Sequence, residues 1–166
     1  FASLAAWELG ATAIKAAVER AGVPADSIDE VLFGNCLMAG QGQAPARQAM
    51  RKAGLPDSTG AVTLSKMCGS GMRAMMFAHD MLVAGSANVM LAGGMESMTN
   101  APHLVFARKG LKYGAAALYD HMAIDGLEDA YERGKAMGVF AETCVSKYSF
   151  TREAMDQFSI ASTQRA

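Results

Sequence analysis

Long apolar runs are missing from this chain. No stretch of about 18 consecutive apolar residues occurs, so there is no transmembrane helix, and no signal-peptide pattern is visible. Charge of one sign is missing too. Fifteen Lys and Arg stand against 16 Asp and Glu, scattered without a basic block, for a net charge of −1. Such a balance gives no field to gather nucleic acid or an anionic membrane surface. Cysteine is scarce, with Cys36, Cys68 and Cys144 forming an odd set without a Cys-x-x-Cys pair. That excludes a disulfide framework or a zinc knuckle and fits a reducing, cytoplasmic compartment. The three histidines, His79, His103 and His121, show no ligand spacing with a cysteine, so no metal site is expected.

What is present is enough for one domain with a real core, at 166 residues. Leu4, Trp7, Ala11, Ile14, Val18 and Ala21 recur at helical spacing, and Gly22 with Pro24 supplies the stop. Val31, Leu32 and Phe33 form a short apolar strand ending at Gly34. Pro45 suits the first turn of a second helix, which reaches Ala53 and stops at Gly54 and Pro56. A strand over 61–65, a helix from Cys68 to about Ala84 and a strand over 88–92 follow, the last closed by Gly93 and Gly94. Alternating helices and strands imply parallel strands with helical crossovers, and apolar rather than alternating strands imply cover on both faces. The fold class is therefore α/β, a parallel-rich sheet covered by helices. Beyond Gly94 the character changes to helical stretches near 128–135, 140–147 and 152–166, read as an excursion above the sheet. The expected division is 1–94 and 95–166. The chain opens on Phe1 and its last helical pattern has no stop signal, so a piece of a longer polypeptide is expected.

Cys68 is the candidate for chemistry. It lies between the 61–65 strand and a Gly-rich helix start, Cys68-Gly69-Ser70-Gly71, where the backbone field favours a thiolate. Free N–H groups of such a first turn can hold an anion, and the glycines let backbone approach a substrate. A nucleophile whose own N–H faces the attacked carbonyl oxygen brings half an oxyanion hole with it. The bland alternative is that a small apolar thiol simply packs. A competing pattern, Gly69-x-Gly71-x-x-Ala74 with Glu96 as the ribose partner, fits a dinucleotide-binding oxidoreductase only loosely.

The run Leu64-Ser65-Lys66-Met67-Cys68-Gly69-Ser70-Gly71-Met72-Arg73-Ala74-Met75 resembles the acyl-enzyme signature of thiolases, the acetyl-CoA acetyltransferase family. Gly93-Gly94-Met95-Glu96-Ser97-Met98 with Ala101-Pro102 resembles a second block of that family. Gly40-Gln41-Gly42-Gln43 with Pro45-Ala46-Arg47-Gln48 resembles a third, and Asp125-Gly126-Leu127 with Met137-Gly138 and Ala141-Glu142 a fourth. The resemblance implies the N-terminal half of a layered thiolase-like fold, less its opening strand, with part of a helical loop domain. It implies acyl exchange between CoA thioesters through an S-acyl-cysteine at Cys68, either condensing acetyl-CoA or cleaving a 3-ketoacyl-CoA. It further implies Leu127 and Met137 as substrate contacts, acyl-CoA or coenzyme A as partner, no separate cofactor, no metal, and a homodimer or homotetramer. The family's histidine, second cysteine and Asn-held water belong to the other half. Ala136 stands where close relatives have histidine, with one extra residue before it.

The remaining candidates have plain readings. His79, eleven positions along from Cys68, lies about 16 Å away on a helix and is too far to activate it. His103 and His121 read as structural, and Cys36 and Cys144 as buried packing. Arg47 reads as an ion pair or subunit contact before a CoA phosphate ligand. Met72, Met75, Met76, Met81, Met90, Met95 and Met98 read as adaptable core, with part of them lining an acyl tunnel. A non-catalytic, dimerising module is the second functional reading.

Overall fold

A computed structural model describes residues 1–166. They form two compact units, Phe1–Gly126 and Leu127–Ala166. Residues 95–126, read from the sequence as part of the second region, belong with the first. Met95 is buried in the main core and His121 is 5 % exposed, so both ends of that segment are anchored there.

The first unit is built on three parallel strands in the order β2-β1-β3, with β1 at Glu30–Gly34, β2 at Gly60–Leu64 and β3 at Met90–Gly94. Register is exact enough that all three strands end level: Gly34 pairs with Leu64 on one side and Gly94 on the other. Alternation along β1 divides the core. Val31 and Phe33 face α1 (Ala6–Ala21) and α2 (Pro45–Ala53), packing with Ile14, Ala46, Ala49, Met50 and Met95. Leu32 faces the other way, onto Ala74 and Ala78 of α3 (Ser70–Val83). Ile14, Val31 and Met50 are at 0 % exposure, and each such burial contributes about 1.5–3 kcal/mol.

The helix ends follow their sequence signals. Gly22 and Gly54 cap α1 and α2 at φ 65° and 95°, the left-handed conformation that favours glycine. Pro45 opens α2 as expected. A two-stranded antiparallel ribbon, β4 (His103–Leu104) with β5 (Tyr119–Asp120), completes the unit with a π-helical turn at Ala123–Leu127 that runs to its boundary.

In the second unit α4 (Met137–Tyr148) and α5 (Arg152–Arg165) are joined by Ser149 at φ 54°. The Thr151 hydroxyl accepts the Ala154 N–H and caps α5. The helix expected near 128–135 is absent. Its place is taken by a turn closed by an antiparallel bridge between Glu128 and Ala136. The Asp129 carboxylate accepts the N–H groups of Tyr131 and Glu132, and Gly134 sits at φ 86°. Local carboxylate-to-backbone bonds of this kind compete with helix and win here.

The methionine-rich stretch is only partly core. Met95 is buried, and Met81 and Met90 pack beside Leu32, but Met72, Met75, Met76 and Met98 are exposed. On α3 the sheet-facing side is made of small residues, so its larger side chains lie outward.

Candidate active site around Cys68

Cys68 lies at the rim formed by the level strand ends, in the turn between β2 and α3. It is exposed, so a packing role is excluded. It is not the first residue of the helix, as the sequence suggested. Gly69 is the N-cap, and Cys68 stands one residue before it. The residue that makes the turn is Met67, at φ 48°, a left-handed conformation that costs a non-glycine residue about 1–3 kcal/mol. The sharp reversal lifts Cys68 out of the layer formed by the sheet and α3.

The tight fit at the start of α3 comes from a glycine of β1 rather than from the glycines next to Cys68. A Cβ on Gly71 would lie 3.6 Å from the Gly93 carbonyl oxygen, and one on Gly94 would lie 3.4 Å from Gly71 Cα. A Cβ on Gly34 would lie 2.6 Å from Ser70 Cβ and 2.7 Å from Ser70 C. Gly34 thereby seats the start of α3 on the end of β1, while Gly71 has room for a Cβ at ordinary contact distance. Of the N–H groups in the turn, those of Gly69 and Ser70 are taken by the carbonyls of Lys66 and Met67. That of Cys68 is not.

Glu96, the acid a dinucleotide site would need free, is fully engaged. Its carboxylate accepts Asn35 Nδ2 at 2.5 Å, Cys36 N–H at 2.8 Å and Leu37 N–H at 3.0 Å. It ties the loop after β3 to the loop after β1. Three donors on one carboxylate leave little capacity for a ribose.

Cys36 is half-buried rather than packed away, and its sulfur reaches the Met67 carbonyl at 3.0 Å. Cys144 is exposed on α4, against the packing expected of it; that helix buries none of its residues. Arg47 is a structural tie. It donates to the carbonyls of Thr59 and Asp57 at 3.1 and 3.0 Å, and its guanidinium lies 3.9 Å from the Asp57 carboxylate. His79 is exposed beside Asp80, and His103 lies in β4.

His121, read from the sequence as structural, is a buried tie between two loops. Its Nε2 accepts the Ala39 N–H at 3.3 Å, so the proton sits on Nδ1, which donates to Asp125 at 2.7 Å. It locks the β1–α2 loop against the π-helical turn. The spacing His121…Asp125, one helical turn apart, was the available signal.

Leu127 and Met137 lie in the second unit, immediately outside the Glu128–Ala136 bridge, which brings their chain positions side by side. Leu127 is half-buried and Met137 is 44 % exposed. Ala136 serves as the N-cap of α4 without a side-chain bond to it. A separate cleft at the start of α1, lined by Trp7, Leu37, Gln41, Ser97 and Asn100, does not include Cys68.

Comparison with known proteins accounts for this geometry. A family model described as thiolase, N-terminal domain, matches residues 1–166. An acetyl-CoA acetyltransferase of Cupriavidus necator is 48% identical over 166 residues, covering 99% of this chain and 42% of the relative. The mitochondrial acetyl-CoA acetyltransferase A of Xenopus laevis is 50% identical over 164 residues, covering 99% and 39% respectively. A crystal structure of a thiolase from Ascaris suum in complex with coenzyme A superposes with a TM-score of 0.92 at 38% identity, covering 99% of this chain and 43% of that one. The chain thus spans about two fifths of the length of the curated relatives it matches. With parallel strands ending level beneath an exposed cysteine, and a family match running from the first residue to the last, the chain belongs to the thiolase family, as its N-terminal domain.

Proposed function

We propose that the protein carrying this domain is an acyl-CoA C-acyltransferase that works through an S-acyl-Cys68 intermediate. The observation that carries the reading is the exposed Cys68 on a sharp strand-to-helix turn with its own N–H unspent by the turn. In the first half-reaction the Cys68 sulfur attacks the thioester carbonyl of an acyl-CoA. A carbon–sulfur bond forms to Cys68, the bond to the CoA sulfur breaks, and the proton from Cys68 leaves with CoA. The negative oxygen formed on the way is stabilised by N–H donors aimed at it, that of Cys68 among them. In the second half-reaction an acetyl-CoA that has lost an α-proton to a base attacks the S-acyl carbonyl. Cys68 is then released and a 3-ketoacyl-CoA is formed; the reverse sequence cleaves a 3-ketoacyl-CoA with CoA.

Leu127 and Met137 are the apolar contacts proposed for the acyl and pantetheine end of the substrate. The coenzyme A bound to the Ascaris suum thiolase, a solved relative of this fold, supports that choice of ligand. On this reading the protein needs no cofactor beyond its thioester substrates and works as a cytoplasmic homodimer or homotetramer. No helix is long and apolar enough to cross a membrane.

The test is direct. After incubation of the protein at its native length with acetyl-CoA, mass spectrometry should find one added acetyl group on the peptide containing Cys68. Cys68→Ala should lose it. Labelling elsewhere, or persistence of the label in the variant, refutes the assignment.

A further inference from the structure

The sulfur of Cys36 lies beneath the reacting turn, and the mechanism above gives it no part. Three donors converge on the Met67 carbonyl oxygen: the Ser70 N–H at 3.0 Å, the Ser70 hydroxyl at 2.6 Å and the Cys36 thiol at 3.0 Å. The Ser70 hydroxyl in turn accepts the Lys66 N–H at 2.8 Å, and the Ser65 hydroxyl reaches the Cys36 sulfur at 3.7 Å. Cys36 is itself held from behind, since its N–H is bound by the Glu96 carboxylate.

The Met67 carbonyl and the Cys68 N–H belong to one peptide unit. No peptide in the chain is cis, and in a planar trans unit the C=O and N–H point in opposite directions. Drawing the Met67 oxygen inward onto Cys36 and Ser70 therefore turns the Cys68 N–H away from them, toward the open side. It also offsets the left-handed conformation of Met67, which would otherwise relax and swing that N–H aside.

The geometry points to Cys36 as a positioning residue: its thiol, with the Ser70 hydroxyl, orients the Met67–Cys68 peptide so that the Cys68 N–H meets the developing oxyanion. This rests on the acyl-transfer reading and adds to it a residue that never touches substrate. Ser70 is the stronger anchor but is buried at 5 % exposure, whereas Cys36 can be varied in shape and in donor capacity separately.

The experiment compares two reactions of the same sulfur in the protein at its native length. Acylation by acetyl-CoA builds an oxyanion; alkylation of Cys68 by iodoacetamide does not. A thiol is a weak donor, so its loss should cost less than the 10²–10³-fold typical of an oxyanion donor itself. Cys36→Ala and Cys36→Val, which remove the donor with and without leaving space, should slow acyl-Cys68 formation by about 3–10-fold at saturating acetyl-CoA. Cys36→Ser, which keeps a donor, should stay close to wild type, and alkylation should be unchanged in all three. Acylation as fast in Cys36→Ala and Cys36→Val as in wild type overturns the inference. So does an equal loss in Cys36→Ser, or a parallel loss of alkylation. If the wild-type protein itself forms no acyl-Cys68, it is the acyl-transfer reading that fails first, and this one with it.

Discussion

A methyl group on Gly34 would have nowhere to go. It would sit 2.6 Å from Ser70 Cβ, 2.7 Å from Ser70 C and 2.8 Å from Gly71 N, where ordinary contacts need about 3.5–4.0 Å. Two of those three atoms are backbone, so no rotamer change relieves the clash. The start of α3 must move off the sheet by about 1 Å, and that movement is resisted. Ser70 is tied by its hydroxyl to Lys66 and Met67, and Ala74, one turn on, is at 0 % exposure against Leu32. Overpacking of a close-packed core costs about 1–3 kcal/mol, so Gly34→Ala should lower the urea midpoint by that equivalent. The same displacement carries Cys68, two residues ahead of the helix, and a misplacement of about 1 Å can cost on the order of 10²-fold in rate. Acyl-Cys68 formation should therefore fall about 10–100-fold, more than the stability loss alone would produce. Gly71→Ala is the matched control, because its Cβ would meet nothing closer than 3.6 Å and glycine is the poorer helix former by up to about 1 kcal/mol. It should be neutral or stabilising. A Gly34→Ala protein with wild-type midpoint and wild-type acylation would refute the claim that β1 and α3 touch backbone to backbone.

Two further outcomes follow from single hydrogen-bonded groups. His121→Leu leaves the Ala39 N–H and the Asp125 carboxylate without their partner, and should cost about 1–3 kcal/mol by urea denaturation; no loss would mean the loop is not held there. Asp29 accepts the N–H groups of Asn88 and Val89, and these bonds hold its carboxyl below its ordinary value of 3.8. A depressed folded-state value means that its stabilisation is complete above the unfolded value and is lost as pH falls through the folded one. The urea midpoint of the wild type should therefore drop below about pH 3.8 by more than that of Asp29→Asn, and identical acid limbs would contradict the role given to Asp29.

The elements that sequence made legible are those with local chemistry at both ends. Helix α2 could be bounded to the residue because Pro45 at its start and Gly54 after it each act through their own backbone. Cys68 stood out because its neighbours are so small, yet what seats its turn on the sheet was not visible. Gly34 meets Ser70 across a gap in sequence that no local pattern spans. The turn over 128–135 was misread because a carboxylate at Asp129 can serve a helix start or a free-standing turn, and only the bridge from Glu128 to Ala136 decides between them. Glu96 was conspicuous in the sequence, but its partners lie about sixty residues earlier in the loop after β1. Exposure of Cys144 was likewise unreadable, since apolar spacing along α4 says which residues share a face and not what covers it.

The three strands stop at one level, Gly34 opposite Leu64 and Gly94, and everything with chemical character leaves from that edge: Asn35 and Cys36, then Cys68, then Glu96. Ligand crevices at the carboxyl ends of parallel strands are the general habit of such sheets. Here the arrangement gathers the polar and reactive side chains at one rim and leaves the apolar ones below it. Ile14, Val31 and Met50 lie on one side of that division, the three connecting loops on the other. A change at that rim is felt first in the loops and reaches the packed layer below only through specific ties, Glu96 between two loops and Gly34 against Ser70.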